Sequence, residues 1–158
     1  MNKKIKITVV GAGYVGMALS IMLARKNEVT VLDIDPRRVE KINEGKAAIA
    51  DPIVDSYLIE NSLVLTATIR KEEAYKGAEY VFVATPTDYD SESNSFDTNT
   101  VRSVIKDSIS LNSEAIIIIK STVPVGFTSE VKLFFGHQNI IFCPEFLREG
   151  SALSDSLN

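Results

Sequence analysis

Between Ile5 and Lys26 the sequence runs IKITVVGAGYVGMALSIMLARK, and no other stretch restricts the fold as much. An apolar run that reads as a strand, Ile5–Val10, passes directly into Gly11-Ala12-Gly13-Tyr14-Val15-Gly16. A helical stretch, Tyr14–Lys26, follows, with Val15, Leu19, Ile21, Met22 and Leu23 expected on its buried side. Three glycines in the pattern G-x-G-x-x-G carry little alone; a strand before and a helix after give them meaning. In that setting Gly11 permits the tight turn. Gly13 has no side chain to hold a pyrophosphate away from the backbone, and Gly16 lets the helix pack close to the strand. The free amides at the helix start then face an anion.

The rest of the chain repeats the alternation. Glu28–Asp33, Leu63–Thr66, Tyr80–Thr85, Ala115–Ile119 and Ile140–Phe142 read as strands. Pro36–Glu44, Ile53–Asn61, Lys71–Lys76, Thr98–Leu111 and Thr128–Phe135 read as helices, with Val101, Val104, Ile105, Ile109 and Leu111 as the apolar face of the fourth. Pro36 suits the first turn of its helix and Gly45 its stop. Continuous Ile- and Val-rich strands separated by helices predict an α/β fold: a parallel sheet covered on both faces. Six such strands fit a doubly wound, Rossmann-type sheet of order 3-2-1-4-5-6, in which ligands bind beyond the carboxyl ends of the strands. The 158 residues suit one such domain.

Every polar cluster of interest falls at a strand end. Asp33 closes the second strand about 20 residues after the glycine turn, where an acid accepts hydrogen bonds from an adenine ribose and repels a 2′-phosphate, favouring NAD over NADP. A helix cap is the other reading of Asp33, and Arg37 and Arg38 pull toward a 2′-phosphate. Asp35 reads as the N-cap of the Pro36 helix. Ala84-Thr85-Pro86-Thr87 closes the fourth strand and either borders the nicotinamide half of a dinucleotide or is a plain turn. The stretch DYDSESNS after it reads as a polar loop. In KSTVPVG, Ser121 and Thr122 either hydrogen-bond a cofactor or water, or cap a helix. In PEFLREG, a helical segment would put Glu145 and Glu149 on one face; a surface cluster around Arg148 is the alternative.

Hydrophobic residues make up 45% of the chain and charged residues 24%, and the net charge of −4 argues against nucleic-acid or basic membrane-surface binding. No run approaches the roughly 20 apolar residues that cross a bilayer. With one cysteine no internal disulfide can form, which suits a reducing compartment and a cytoplasmic protein. Cys143 reads as buried and inert, and His137 as a surface turn residue. No pair of ligand-type residues has metal-site spacing, so no metal is expected.

In order, GAGYVG, VLDID, ATPTDYD, KSTVPVGFT and CPEFLREG closely resemble the N-terminal NAD-binding domain of the UDP-glucose/GDP-mannose dehydrogenase family, in particular its bacterial, UDP-glucose-oxidising branch. The resemblance implies a C6 alcohol of UDP-glucose oxidised to a carboxylate through a cysteine-bound thioester, with two NAD consumed. It implies that Gly11, Ala12, Gly13, Tyr14, Val15 and Gly16 hold the pyrophosphate, Asp33 the ribose, and Arg38 the adenosine end. Thr87 and Thr122 border the cofactor, and Thr122 also positions water. Glu145, Phe146, Leu147, Arg148 and Glu149 border the sugar nucleotide, with Glu149 closest to the acid–base work. The family's catalytic cysteine, lysine and asparagine stand in later motifs that these 158 residues lack, and Cys143 does not match that cysteine. The resemblance therefore implies an isolated N-terminal piece or a natural truncation, unable alone to oxidise UDP-glucose, of an enzyme that is a homodimer at full length. A GDP-mannose or UDP-N-acetyl-sugar dehydrogenase, or a regulatory NAD-sensing module, is the alternative.

Overall fold

The computed structural model describes residues 3–49, 51–60, 62–91, 95–146, 153 and 154, without the side chains of Pro52, Glu60, Asp90 and Ser95. Six strands form one parallel sheet: β1 (Lys6–Val10), β2 (Glu28–Leu32), β3 (Leu65–Thr68), β4 (Tyr80–Val83), β7 (Ile116–Ile119) and β8 (Ile140–Phe142). The order is β3-β2-β1-β4-β7-β8, the doubly wound order expected from the alternation. The order reverses between β1 and β4, whose register pairs Val9 with Phe82 and Val10 with Val83. Helices α1 (Tyr14–Ala24), α2 (Pro36–Asn43), α3 (Pro52–Glu60), α4 (Lys71–Tyr75), α5 (Asn99–Leu111) and α6 (Phe127–Phe135) connect the strands.

Successive strand residues point to opposite faces, so one strand feeds two cores. Val10, Val81, Val83, Ile117 and Ile119 pack with Tyr75, Val101, Ile105 and Val131 from the helices on one face. On the other face Val31 and Ala67 join a cluster with Met17, Ala18 and Ile21 of α1, and Ile7, Val9 and Val29 form a third with Ala24. Leu153, near the chain's end, is fully buried in the cluster that includes Met17 and Val54.

Several expectations need correction. The third strand lies two residues later than Leu63–Thr66, because Val64 only hands its carbonyl to Val29 before the ladder continues from Leu65. The buried face of α1 is made mostly by small residues, Gly16, Ala18, Ser20 and Ala24, together with Met17, Leu19 and Ile21; Val15, Met22 and Leu23 stay half-buried. Close helix–strand approach favours that choice. In α5 Ser108 is buried where Leu111 was expected, and Leu111 is exposed. Part of the stretch expected as a polar loop is a short antiparallel ladder, β5 (Tyr89–Asp90) with β6 (Ser95–Phe96), whose Tyr89 and Phe96 rings stack edge-on at 5.2 Å. Cys143 is exposed rather than buried, because β8 is an edge strand and Ile141 and Phe142 beside it are themselves exposed. His137 is half-buried.

Candidate functional site

The turn after β1 is shaped by two glycines that the fold itself requires. Gly11 has φ +102°, and a Cβ on it would sit 2.6 Å from the Ala84 carbonyl oxygen. A Cβ on Gly16 would lie 1.8 Å from the Gly11 carbonyl oxygen, so any larger residue drives α1 off the turn. Gly13 differs: apart from its own chain neighbours, no atom of the described residues lies within 4 Å of where its Cβ would be. Its φ of −76° is open to any residue. The protein therefore has no packing reason for a glycine at 13. The space beside it belongs to a cleft of about 580 Å³ into which Gly11–Val15 face.

Gly13 is the N-cap of α1, and among the described residues no side chain caps that end. The first amides of a helix lack intrahelical acceptors, so this end offers donors and a positive dipole to the cleft. Asp33 lies on the same wall, its side chain only 5% exposed. One carboxylate oxygen accepts the Ala12 amide at 2.7 Å, the other the Asp35 amide at 2.9 Å. Arg38 stands 3.7 Å from the first of these oxygens and also lines the cleft. A carboxylate has about four acceptor positions, so two backbone bonds leave capacity for a ligand's hydroxyls. The arginine beside it is already partly neutralised. Asp35 caps α2 as expected, accepting the Arg37 amide at 2.9 Å, and that bond holds its carboxyl below the ordinary value.

The opposite wall is built by β4, β7 and the segment after β8. Ala84 to Asp88, Lys120 to Thr122 and Glu145 line it. Ser121 does not present a free hydroxyl to the cleft it lines: the residue is buried, with its hydroxyl 2.6 Å from the Thr85 carbonyl and 3.2 Å from that of Val83. Nor do Ser121 and Thr122 cap a helix, since the N-cap of α6 is Gly126. Thr122 is exposed at the cleft, and the buried Thr85 hydroxyl has no protein partner among the described residues.

Residues 143–146 are irregular rather than helical. Glu145 forms an ion pair with Lys120 at 2.9 Å. The Lys120 ammonium is also 3.4 Å from the Pro144 carbonyl and 3.6 Å from the Cys143 sulfur. Nothing in the local sequence singles out Lys120, because its partner lies on the next strand's exit. Of the residues expected at the site, Gly11, Ala12, Gly13, Tyr14, Val15, Asp33, Arg38, Thr87, Thr122 and Glu145 gather around this one cleft. Gly16 lies beneath it, Phe146 points to solvent, and Leu147, Arg148 and Glu149 lie outside the described residues. Among the described residues no group of three His, Cys, Asp or Glu side chains is placed to hold a metal ion.

The cleft thus fits a dinucleotide: uncapped helix amides in the middle, an acid at one end, hydroxyls at the other. Comparison with known proteins agrees. The model of the UDP-glucose/GDP-mannose dehydrogenase family, NAD binding domain, matches residues 5–158. A UDP-glucose 6-dehydrogenase of Campylobacter jejuni is 47% identical over 154 residues, 96% of this chain and 39% of the relative. One of Streptococcus pneumoniae is 45% identical over 152 residues, again 96% and 39%. The structure of a UDP-glucose dehydrogenase from the archaeon Pyrobaculum islandicum superposes with a TM-score of 0.82 at 27% identity, covering 98% of this chain and 39% of that one. The chain thus spans about two-fifths of the length of these relatives.

Proposed function

Because the chain belongs to the UDP-glucose/GDP-mannose dehydrogenase family and matches its NAD-binding domain, we propose that it forms the cofactor half of a UDP-glucose 6-dehydrogenase. The observation that carries this reading is the uncapped start of α1, opening through Gly13 onto a cleft that Asp33 closes at one end. Bound there, NAD supplies the hydride acceptor for oxidation of the sugar's C6 alcohol. The amides of the glycine turn hold the diphosphate, and Asp33 takes the ribose hydroxyls. Thr122 and Thr87 line the far end, where Thr122 orients water or the cofactor's ring. Glu145 borders the sugar nucleotide from the wall beside Thr122, and Glu149 accepts the proton of the attacking water. UDP-glucose as substrate is supported by the names of the relatives above. Phe146, next in the chain to the cleft residue Glu145, is exposed, an apolar side chain that suits a further part of the enzyme packing over it. A homodimer in the cytoplasm belongs to the same reading; no described helix is long and apolar enough to cross a membrane.

The test is an assay of the purified 158-residue chain with NAD and UDP-glucose. The expected result is retention of NAD in equilibrium dialysis, weaker retention of NADP, and no UDP-glucuronate, since no thiol in the chain matches the family's nucleophile. UDP-glucuronate formation would overturn the division of labour, and NADP retained more tightly than NAD would overturn the role of Asp33.

A further inference from the structure

The far wall of the cleft carries three charged groups among the described residues, Lys120, Glu145 and Asp88. Two of them are bound to each other: the Lys120 ammonium lies 2.9 Å from a Glu145 carboxylate oxygen. Their side chains are only 9% and 20% exposed, so water screens them poorly. The backbone holds the pair in place. The Lys120 amide donates to the Val83 carbonyl at 2.9 Å, and the Cys143 amide to that of Ile119 at 3.0 Å. Two adjacent strand ends therefore deliver one positive and one negative charge to the same spot. That spot is the end of the cleft away from Asp33, where the nicotinamide half would extend once the diphosphate sits at the glycine turn.

The oxidised and reduced cofactors differ there and nowhere else. The nicotinamide ring of NAD carries a positive charge, and that of NADH carries none; the diphosphate and adenosine are identical. A weakly screened charge near the ring must therefore weight one form over the other. We propose that the Lys120–Glu145 pair determines this discrimination: each charge offsets the other, so that neither redox form is trapped in the cleft. A cofactor that must bind oxidised and leave reduced twice per product needs that balance. The inference rests on the cofactor reading given above.

The ratio of dissociation constants for NAD and NADH reads the proposal directly, because damage common to both forms cancels. In the purified chain Lys120→Met leaves Glu145 unpaired and shifts the ratio toward tighter NAD. Glu145→Gln leaves Lys120 unpaired and shifts it toward tighter NADH. A unit charge on the order of 8 Å from the ring, at an effective dielectric near 40, gives each shift a size of about fivefold. The double variant Lys120→Met/Glu145→Gln keeps the side-chain volumes without either charge, and its ratio returns to within about twofold of the parent. Single-variant ratios that stay unchanged, or move in the same direction, overturn the proposal. ADP-ribose, which lacks the ring, separates the two levels. If it binds the parent chain and the ratios do not respond, this proposal alone falls; if it does not bind, the cofactor reading falls and takes the proposal with it.

Discussion

The Asp33 carboxylate accepts the Ala12 amide proton at 2.7 Å, tying the exit of the second strand to the middle of the glycine turn. Its other oxygen accepts the Asp35 amide at 2.9 Å, so the same side chain also shapes the entry to α2. Asp35 rather than Asp33 caps α2, and the two backbone bonds to Asp33 leave its carboxylate acceptor capacity for a ligand's hydroxyls. Its environment also explains the expected cofactor preference, because the nearby Arg38 has its charge partly offset at 3.7 Å.

Asp33→Asn tests this arrangement. The amide group turns one acceptor into a donor facing a backbone N–H, which costs about 1–3 kcal/mol of stability. It also frees Arg38. Affinity for NAD is expected to fall roughly tenfold, about 1.4 kcal/mol, while the preference for NAD over NADP narrows. Calorimetric titration with both cofactors checks it; a variant that keeps the parent's preference contradicts the assignment.

The three glycines of the turn are expected to separate into two classes. Gly16→Ala places a Cβ where the Gly11 carbonyl already stands and is expected to lose more than about 4 kcal/mol or fail to fold. Gly13→Ala meets no atom of the described residues beyond its chain neighbours and is expected to melt within a few degrees of the parent, yet to bind NADH at least roughly tenfold more weakly. Thermal melts and NADH fluorescence titrations on both variants decide the matter.

Asn112 donates to the Tyr75 carbonyl at 2.9 Å and the Ala78 carbonyl at 2.8 Å, closing the chain between α4 and β4 onto the end of α5. Asn112→Ala leaves both carbonyls short of this donor, and urea unfolding is expected to show a loss of about 1–3 kcal/mol. NAD affinity should not change, since the residue lies at the opposite end of the sheet from the cleft.

Tyr75 is almost fully buried, and burial, with a smaller contribution from the Asp107 carboxylate, pushes its hydroxyl well above the ordinary phenol value. A group whose folded value is raised stabilises fully below its unfolded value, and that contribution is lost as pH climbs toward the folded one. Stability is therefore expected to fall as pH rises above about 10. Tyr75→Phe should flatten that decline, measured as urea midpoints between neutral and strongly alkaline pH.

The sheet order was legible because apolar stretches, richest in Ile and Val at β1, β7 and β8, alternate with helical periods and end in polar clusters; β3, Leu65-Thr66-Ala67-Thr68, carries the weakest such signal. What escaped reading depended on contacts between distant positions. Lys120 and Glu145 meet because neighbouring parallel strands end side by side, and no local pattern marks that. The β5–β6 ladder hides in a polar stretch with no alternation, and the Tyr89–Phe96 pairing across it becomes visible only when the chain turns back. The exposure of Cys143 is not marked locally, because Ile140-Ile141-Phe142 is apolar enough for a central strand, yet it forms the sheet's edge with only Ile140 buried. At the cleft, ten of the residues singled out in the sequence share one lining. Which hydroxyl faces inward did not follow from their identities, and Ser121 proved to be bound to backbone carbonyls while Thr122 is open.

The central claim is that a dinucleotide's diphosphate lies against the uncapped start of α1, and isothermal calorimetry of NAD against the parent chain and Gly13→Ala tests it most directly. A saturable heat with one site per chain in the parent, lost or weakened at least roughly tenfold in a variant that melts like the parent, is the predicted result. No heat from the folded parent at millimolar NAD, or equal affinity in the two proteins, would contradict it.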